Sequence, residues 1–211
     1  MENKFTFQCI SDTHERHEQI QLDYSDAIIF AGDNNCRWEW QLAEFFQWFS
    51  EQPCKYKIYV PGNHDRYCEL YPEESKQLAE DHDIIMLVNE EVVIEGHKFY
   101  GSPFTPMFYN WAFMEERGKD MEKIWSLIPD DTDVLITHGP PYSVLDECPG
   151  GHVGCEDLLK RVLEVKPKYH VFGHIHESAG EEVFEEITFL NAAVLNGFYH
   201  INNLGIRKGE L

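Results

Sequence analysis

The sequence lacks three features that would place the protein in familiar classes. No run of apolar residues approaches the roughly 18 consecutive residues that a membrane-spanning helix requires. The first residues, MENKFTFQCISDTH, contain no basic region followed by a long apolar stretch, so we expect no secretory signal. None of the six cysteines forms a C-x-x-C pair, which favours free thiols over a disulfide framework or a thiolate zinc site. These absences predict a cytoplasmic protein without a membrane segment.

Cationic side chains are also scarce. The chain has 17 Lys and Arg against 38 Asp and Glu, a formal net charge of −21. A surface this negative repels the phosphate backbone of long nucleic acids, which proteins usually hold with cationic side chains. We therefore expect a small-molecule partner and no long nucleic acid. An anionic substrate would need local positive charge, and bound metal ions are one source of it.

The chain has no low-complexity stretch, internal repeat or Gly/Ser-rich linker. Hydrophobic residues make up 43% and charged residues 26%, as in an ordinary globular protein. A length of 211 residues suits one compact domain with a sizeable core. We therefore interpret residues 1–211 as a single domain. The oligomeric state is left open.

Five short apolar runs, rich in Val, Ile, Phe and Tyr, predict buried strands at residues 5–10, 27–31, 57–60, 134–136 and 170–172. Helical spacing of apolar residues and helix-start signals predict helices over 38–49, 72–81, 116–127 and 156–165. Segment 91–100 predicts a hairpin, and segments 182–190 and 200–207 predict further strands. Strands alternating with helices indicate an α/β protein with a substantial parallel component.

A polar cluster directly follows each of the five apolar runs. In open α/β sheets, ligands bind beyond the carboxyl ends of the strands, so we expect the clusters to converge on one rim. Residues two apart project the same way at a strand end, which fits the alternation in Asp-x-His and His-x-His. The clusters are Asp12-Thr13-His14, Gly32-Asp33, Gly62-Asn63-His64-Asp65, His138-Gly139 and Gly173-His174-Ile175-His176.

The clusters supply imidazoles, carboxylates and one amide oxygen, a ligand mixture that suits Zn, Mn or Fe. Seven donors are too many for one ordinary transition-metal ion, but they suffice for two ions if one carboxylate bridges them. Two ions roughly 3.5–4 Å apart can each bind a phosphate oxygen and stabilise the attacking and leaving oxygens. The candidate donors are Asp12, His14, Asp33, Asn63, His138, His174 and His176.

These five blocks resemble the calcineurin-like metallophosphoesterase superfamily, whose pattern is D-x-H, G-D, G-N-H-[DE], H and G-H-x-H in this order. The resemblance covers most of the chain and implies a four-layer α/β/β/α sandwich of two mixed sheets flanked by helices. Further motifs are GSPFTP at 101–106, NWAF at 110–113, THGPP at 137–141, Gly154-Cys155 with Leu158, FGHIHE at 172–177 and NAA at 191–193. With them the chain is similar to the metallophosphoesterase-domain-containing (239-protein-like) phosphodiesterase group.

The resemblance also implies a role for each site residue. Asp33 would bridge two ions, the first held also by Asp12, His14 and His176 and the second by Asn63, His138 and His174. His64 would contact the phosphate and protonate the leaving oxygen, with Asp65 orienting its ring. The superfamily often has a further charged residue soon after G-D, where this chain has Asn34-Asn35-Cys36-Arg37. Asn34 is the expected substrate contact, and whether Arg37 touches the phosphate is left open.

An aromatic-rich stretch, 104–113, allows two interpretations. It contains Phe104, Phe108, Tyr109, Trp111 and Phe113. These rings could fill the core as a packed loop. Alternatively, one or two of them could form a stacking surface for a nucleobase.

The leading functional hypothesis is a binuclear metal-dependent phosphodiesterase that acts on small diesters such as cyclic nucleotides, by attack of a metal hydroxide with a His general acid. A phosphomonoesterase or protein phosphatase would use the same metals, and a non-catalytic metal-binding scaffold is the third hypothesis. Because every ligand position and the acid are filled, catalysis is favoured over a scaffold. The native metals, the physiological substrate and the bond cleaved in a cyclic diester are left open.

Overall fold

A computed structural model describes residues 4–202 and 205–211. Its α-helices are α1 (Glu39–Ser50), α2 (Arg66–Leu70), α3 (Pro72–Asp81), α4 (Lys119–Trp125) and α5 (Glu156–Val165). Its strands are β1 (Thr6–Ile10), β2 (Ser25–Phe30), β3 (Cys54–Tyr59), β4 (Ile85–Met86), β5 (Glu90–Ile94), β6 (His97–Ser102), β7 (Thr105–Pro106), β8 (Met114–Glu115), β9 (Val134–Thr137), β10 (Glu147–Cys148), β11 (Gly151–His152), β12 (Tyr169–Phe172), β13 (Gly180–Phe184), β14 (Ile187–Asn191) and β15 (Arg207–Glu210).

Two mixed sheets organise the fold. The first sheet has the order β15-β1-β2-β3-β4, in which only β15 runs antiparallel to its neighbour. The second sheet has the order β13-β14-β12-β9-β6-β5, parallel in the middle and antiparallel at both edges. Two short pairs, β7 with β8 and β10 with β11, lie outside these sheets.

The two sheets pack face to face around one buried cluster. Phe7 and Ile29 of the first sheet belong to the same cluster as Val134 and Leu190 of the second. Side chains alternate along each strand, so the neighbours of these residues point to the opposite faces. Each sheet is therefore buried on both sides, which explains why its central strands are continuous apolar runs.

Helices cover the outer faces of both sheets. Phe45 and Phe46 of α1 join Phe30 in a cluster on the outside of the first sheet. Residues of α4 and α5 form the corresponding cluster on the second sheet, including Trp125 and Leu158. The expected α/β/β/α sandwich with two mixed sheets is confirmed. No helix in the described parts of the chain combines the length and the apolar character needed to cross a membrane.

The local signals located most elements well. Helix α3 starts at Pro72 and carries acids in its first turn, as predicted, because both suit a helix N-terminus. Helix α5 also has the predicted bounds. Helix α4 is shorter than predicted, because Gly118 adopts φ 83° immediately before it. Helix α2 was not predicted.

Two strand predictions need correction. Segment 182–190 forms two strands rather than one, because Glu185 and Glu186 adopt φ 50° and 68° and turn the chain between β13 and β14. The last strand is Arg207–Glu210, and it pairs antiparallel with β1. The strand predicted over 200–207 is thus misplaced: Ile201 makes an isolated bridge to Leu195. Asn203 and Leu204, inside that predicted segment, lie outside the described residues.

Candidate metal centre and active site

The loops that follow the parallel strands of both sheets meet at one edge of the sandwich. Main-chain hydrogen bonds connect them: the Asp12 N–H donates to the Gly32 carbonyl at 2.8 Å, and the His14 N–H donates to the Asp33 carbonyl at 3.1 Å. The His174 N–H donates to Asp12 Oδ2 at 2.9 Å, which connects the first sheet to the second. The expected convergence of the clusters is therefore present.

The backbone of these loops is strained at the donor residues themselves. Asp12, His14, Asp33 and His174 have φ values of 56°, 41°, 64° and 68°. Non-glycine residues seldom adopt this left-handed region, and such conformations persist where the surrounding structure enforces them. The folding free energy thus holds four candidate ligands in positions that a relaxed loop would not give them.

Glycines allow the loops to approach the donor side chains closely. A Cβ atom at Gly62 would lie 2.2 Å from Asp33 Oδ1, and one at Gly173 would lie 2.1 Å from Asp12 Oδ2. Both distances are far inside van der Waals contact, so any side chain at these positions would displace a donor. The glycines of the G-N-H and G-H-x-H motifs are needed for this reason.

Two groups of donors form at this edge. The first group is Asp12, His14 and His176, whose candidate ligand atoms lie within 4.8 Å of one another. In this group His14 Nε2 and His176 Nε2 are 3.3 Å apart, and His176 Nε2 is 3.4 Å from Asp12 Oδ1. Apart from this approach, Asp12 Oδ1 is buried and has no hydrogen-bond partner in the described structure. Such an orphaned carboxylate oxygen is the feature expected of a metal ligand.

The second group is Asp33, His138 and His174, with candidate ligand atoms again within 4.8 Å of one another. Asn63 adjoins this group, because its Oδ1 lies 2.8 Å from His138 Nε2. The structure therefore brings all seven predicted donors into two neighbouring groups.

Asp33 lies between the two groups. Its Oδ2 atom is 3.4 Å from His138 Nε2 in the second group and 3.9 Å from His14 Nε2 in the first. It is also 3.9 Å from His64 Nε2. This central position is the one that a bridging carboxylate requires.

Carbonyl groups orient two of the imidazoles. His138 Nδ1 lies 2.9 Å from the Ala31 carbonyl oxygen, and His176 Nδ1 lies 3.3 Å from that of Asn196. Because a carbonyl oxygen only accepts, each Nδ1 carries a proton, and Nε2 is the ring atom of each histidine that would bind a metal ion after losing any proton it holds. Both Nε2 atoms face carboxylates. Metal-binding histidines are usually oriented by a hydrogen bond of this kind at their other ring nitrogen, here Nδ1.

Burial and mutual charge shift the ionisation of the donors. Burial alone would raise the pKa of Asp12, but the nearby His176 imidazole lowers it to about 2. Burial opposes the ionisation of Asp33 too, yet His138 holds the pKa of Asp33 far below its usual range. The Asp33 charge in turn overcomes burial and raises the pKa of His138 to about 9. Burial lowers the pKa of His174 to about 4, so this imidazole is neutral at pH 7.

The donor set fits a pair of divalent transition-metal ions. Two ionised carboxylates attract cations, and imidazole, carboxylate and amide donors without thiolate suit Mn, Fe or Zn. The orphaned Asp12 oxygen, the carbonyl-oriented imidazoles and the glycines against the carboxylates all support this fit.

His64 lies beside the two groups and belongs to neither. Its ring centroid lies 5.1 Å from that of His14 and 4.7 Å from that of Trp111. It is only partly buried and lines a groove of about 420 Å³ together with His14, Asp33 and His176. We call this the catalytic groove. The location is the one expected for a group that contacts substrate.

Asp65 has a different role from the one expected. The predicted orientation of the His64 ring by Asp65 is wrong, because the buried carboxylate bonds to other groups and, among the described residues, makes no hydrogen bond to that ring. Both of its oxygens hold the metal-site loops together. The donors are the N–H groups of Asp33 (3.0 Å), Asn35 (3.0 Å), Cys36 (3.3 Å) and Gly62 (2.7 Å), the hydroxyl of Tyr59 (3.1 Å) and the thiol of Cys36 (3.7 Å).

Replacing Asp65 with Asn should therefore destabilise the protein. An amide NH₂ would face backbone N–H groups that the carboxylate now accepts, leaving buried donors unsatisfied. We expect the free energy of unfolding to fall by about 2–4 kcal/mol, measured by urea denaturation. Glu116→Gln, at an exposed position, is the matched control. An unchanged midpoint for Asp65→Asn would show that the loops do not depend on this carboxylate.

Asn34, the expected substrate contact, is buried and is not among the residues lining the catalytic groove. Its two amide atoms have no hydrogen-bond partner in the described structure. Contact between Asn34 and substrate stays a prediction.

Stretch 104–113 divides into two parts. Phe104 packs on the buried Phe113 with ring centroids 5.8 Å apart, as the packed-loop interpretation predicts. Phe108 and Tyr109 are exposed, and Phe108 and Trp111 line the catalytic groove. The rings between the two ends of the stretch are thus available to a ligand.

Sequence reasoning missed several residues of the catalytic groove, among them Tyr199 and Arg117. The Tyr199 ring lies 5.0 Å from that of His14 and 5.1 Å from that of His176. Arg117 donates to the carbonyl groups of Gly154 and Val153 at 2.8 Å each. Neither residue belongs to a metal-ligand motif. The only signal for Tyr199 was its position in an Asn-Gly-containing turn, soon after the NAA segment.

Comparison with known proteins agrees with this geometry. The family model for the calcineurin-like phosphoesterases matches residues 5–178, which include every predicted metal donor. The chain belongs to this family. A metal-dependent phosphoesterase is accordingly what the family and the two donor groups support.

Individual relatives lead to the same family. The chain is 38% identical to human metallophosphoesterase domain-containing protein 1 over 213 residues, covering 89% of this chain and 65% of that protein. It is 36% identical to the UPF0046 protein K07C11.7 of Caenorhabditis elegans, in a match that covers 89% of this chain and 69% of that protein. The chain thus spans somewhat less than two thirds of the human relative's length. A solved structure of TT1561 from Thermus thermophilus has the same fold, with a TM-score of 0.63 and 14% sequence identity. The match covers 98% of this chain and 99% of that one.

Proposed function

We propose that this metal-dependent phosphoesterase is a phosphodiesterase acting on small diesters such as cyclic nucleotides. The observation that carries the proposal is the location of His64. Its imidazole faces the catalytic groove 3.9 Å from the central Asp33 carboxylate, beside both donor groups. An acid in this place can protonate the leaving oxygen. An alkyl diester needs this proton because an unprotonated alkoxide is a poor leaving group.

The residues divide the chemistry between them. Divalent ions at the two donor groups would supply positive charge to the phosphate oxygens and lower the pKa of the attacking water. Asp33 holds the two groups together, while the carbonyls of Ala31 and Asn196 keep two imidazoles oriented. His64 donates its proton to the leaving oxygen as the ester bond breaks. Imidazole suits this step because its ordinary pKa is close to neutrality.

The shape of the catalytic groove supports a small substrate. Its volume of about 420 Å³ is in the range of small-ligand pockets. Phe108, Trp111 and Tyr199 contribute aromatic rings to its walls. We propose that one of these rings stacks on the base of a nucleotide, since stacking needs only a flat ring and tolerates any base.

A test of base stacking compares a nucleotide with a base-free diester. For Trp111→Ala we expect kcat/KM to fall about 10-fold or more on a cyclic nucleotide, the loss produced by removing one stacking contact. The decrease on the 2′,3′-cyclic phosphate of methyl riboside, which has the same kind of diester but no flat ring, should be several-fold smaller. Phe104→Ala, which alters a ring packed against the core, serves as control for general loosening of the loop. Equal losses on both substrates would remove the stacking proposal.

The proposed reaction is tested by a substrate panel. Phosphomonoesters, linear diesters and 2′,3′- and 3′,5′-cyclic nucleotides are assayed after reconstitution with Mn, Zn or Fe. We expect higher kcat/KM for diesters, and bis-p-nitrophenyl phosphate should exceed p-nitrophenyl phosphate. The reverse preference would favour a phosphomonoesterase or protein phosphatase. Turnover at background with full metal occupancy would favour a non-catalytic scaffold.

We extend the proposal to the partner and the location. A small diester, rather than a long nucleic acid, suits a chain with a net charge of −21 and a catalytic groove of about 420 Å³. All six cysteines are free thiols, which is compatible with the reducing cytoplasm.

A further inference from the structure

A second groove adjoins the catalytic groove on the far side of His64. Its volume is about 890 Å³, and it shares His64 and Trp111 with the catalytic groove. Of the metal donors, only Asn63 lines it in the described structure. We call it the distal groove. It offers space next to the proposed general acid but away from the metal-binding atoms.

Exposed aromatic side chains dominate the distal groove. Trp38 and Trp40 line it and are 64% and 62% exposed, and Tyr71 is 47% exposed. Large aromatic side chains exposed together in this way mark a binding surface more often than a chance feature. Arg37 also lines the groove, and its guanidinium group has no partner among the residues that the structure describes. An aromatic ring system with an adjacent free cation is a suitable surface for a nucleobase.

The segment carrying the two tryptophans is held in place. The N–H groups of Arg37 and Trp38 donate to Gln41 Oε1 at 2.9 and 3.1 Å. The Tyr67 N–H donates to the Cys36 carbonyl at 3.0 Å and connects this segment to α2. The indole rings are therefore presented by an ordered helix start, which lowers the entropic cost of binding.

We propose that the distal groove binds the leaving nucleoside of a linear phosphodiester, with its base stacked on Trp38 or Trp40. The inference rests on the proposed diesterase function. His64 must touch the leaving oxygen in order to protonate it, so the substituent on that oxygen starts at His64. The phosphate and the other substituent occupy the catalytic groove, and the distal groove is the open space that remains beside His64.

The reaction balances without a further reagent. An oxygen from water bonds to phosphorus, and the bond between phosphorus and the leaving oxygen breaks. The electron pair of that bond stays on the leaving oxygen, which takes the His64 proton. The proton that the attacking water loses passes to the solvent, and His64 regains a proton from the solvent, so that one water molecule is consumed overall. A phosphomonoester is left in the catalytic groove and a nucleoside in the distal groove. A cyclic mononucleotide has one base and would fill only one of the two grooves.

The first test measures a ratio of two activities. The substrates are a 3′→5′ dinucleoside monophosphate and the 3′-methyl phosphate of the same nucleoside, which differ only in the leaving group. In the variant with Trp38→Ala and Trp40→Ala, we expect the ratio of their kcat/KM values to fall about 10- to 100-fold, as loss of base stacking predicts. Tyr24→Ala is the control, because this ring is 74% exposed at the start of β2, at the opposite end of the strand from Asp33.

The outcomes separate this inference from the proposed function. If the wild-type protein hydrolyses no diester of the substrate panel with Mn, Zn or Fe, the diesterase proposal fails, and the leaving-group site fails with it. If it hydrolyses cyclic nucleotides but neither of these linear diesters, only the distal-groove proposal is overturned. If it hydrolyses both and the ratio in the double variant stays within about twofold of the wild-type value, only the distal-groove proposal is overturned. Thermal melting confirms that the variants fold.

A second test reads binding without turnover. In ¹⁵N-labelled protein, the indole N–H signals are assigned by single Trp→Phe variants and followed during titration with adenosine. We expect the Trp38 or Trp40 signal to shift, while that of the buried Trp125, bonded to Cys155 Sγ at 3.3 Å, stays in place. A shift confined to Trp111 would overturn the proposal. An equal response to a methyl glucoside would also overturn it, since the groove would then recognise a sugar rather than a base.

Discussion

Replacing Asp33 with Asn is expected to reduce the metal content from two ions per chain to one or none and to lower turnover by more than about 100-fold. Asp33 is the carboxylate between the two donor groups, with Oδ2 at 3.4 Å from His138 Nε2 and 3.9 Å from His14 Nε2. Substitutions that only disturb the partners of metal ligands typically cost about 10–100-fold in metal affinity or activity. Removing a charge that serves both groups should cost more.

Metal analysis after reconstitution, together with melting temperature, would check this expectation. Because a ligand that binds only the folded state stabilises it, chelation should lower the melting temperature of the wild-type protein. The decrease should be much smaller for Asp33→Asn, which has less metal to lose. Asp23→Asn is a matched control, since this exposed carboxylate pairs with Lys208 and lies before the start of β2, away from the site. Two ions per chain and near-normal turnover in Asp33→Asn would contradict the claim that the Asp33 carboxylate serves both donor groups.

Replacing His64 with Ala is expected to separate metal binding from catalysis. His64 belongs to neither donor group, so the variant should keep both metal ions. Its turnover of a diester with an alkyl leaving group should fall by about 10²–10⁴-fold, the range of a lost general acid. The loss should be much smaller with bis-p-nitrophenyl phosphate, because p-nitrophenolate spreads its charge over the ring and leaves without a proton.

The comparison of leaving groups makes the His64 result specific. A general loss of structure would reduce both activities by the same factor, whereas a lost proton donor reduces chiefly the alkyl one. His82→Ala, at a half-buried position at the end of α3 that does not line the catalytic groove, is the control for removing a histidine elsewhere in the fold. Unchanged turnover of the alkyl diester in His64→Ala would refute the general-acid role.

Several features could be predicted because they depend on short-range chemistry. Helices α3 and α5 have the predicted bounds, since first-turn signals and apolar spacing act over a few residues. The error in segment 182–190 arose because the turn is made by Glu185 and Glu186 and contains no Gly, Pro, Asn, Asp or Ser, the residues that usually indicate a turn. The role of Asp65 could not be predicted, because four of the six groups that donate to it are loop N–H groups, which every non-proline residue carries.

By itself the sequence determined which donors are present and in what order, from Asp12 to His176, and hence the ligand chemistry and the family. Motif chemistry is local, and the polar residues that directly follow each apolar run can be identified in the sequence itself. The tertiary structure places Asp33 between the two donor groups, as the resemblance implied. Only the tertiary structure decided that Tyr199 and Arg117 enter the catalytic groove. It also decided that Trp38 and Trp40 lie next to His64 in a second groove. These relations join residues far apart in the chain, and they arise from the packing of two sheets that no local pattern encodes.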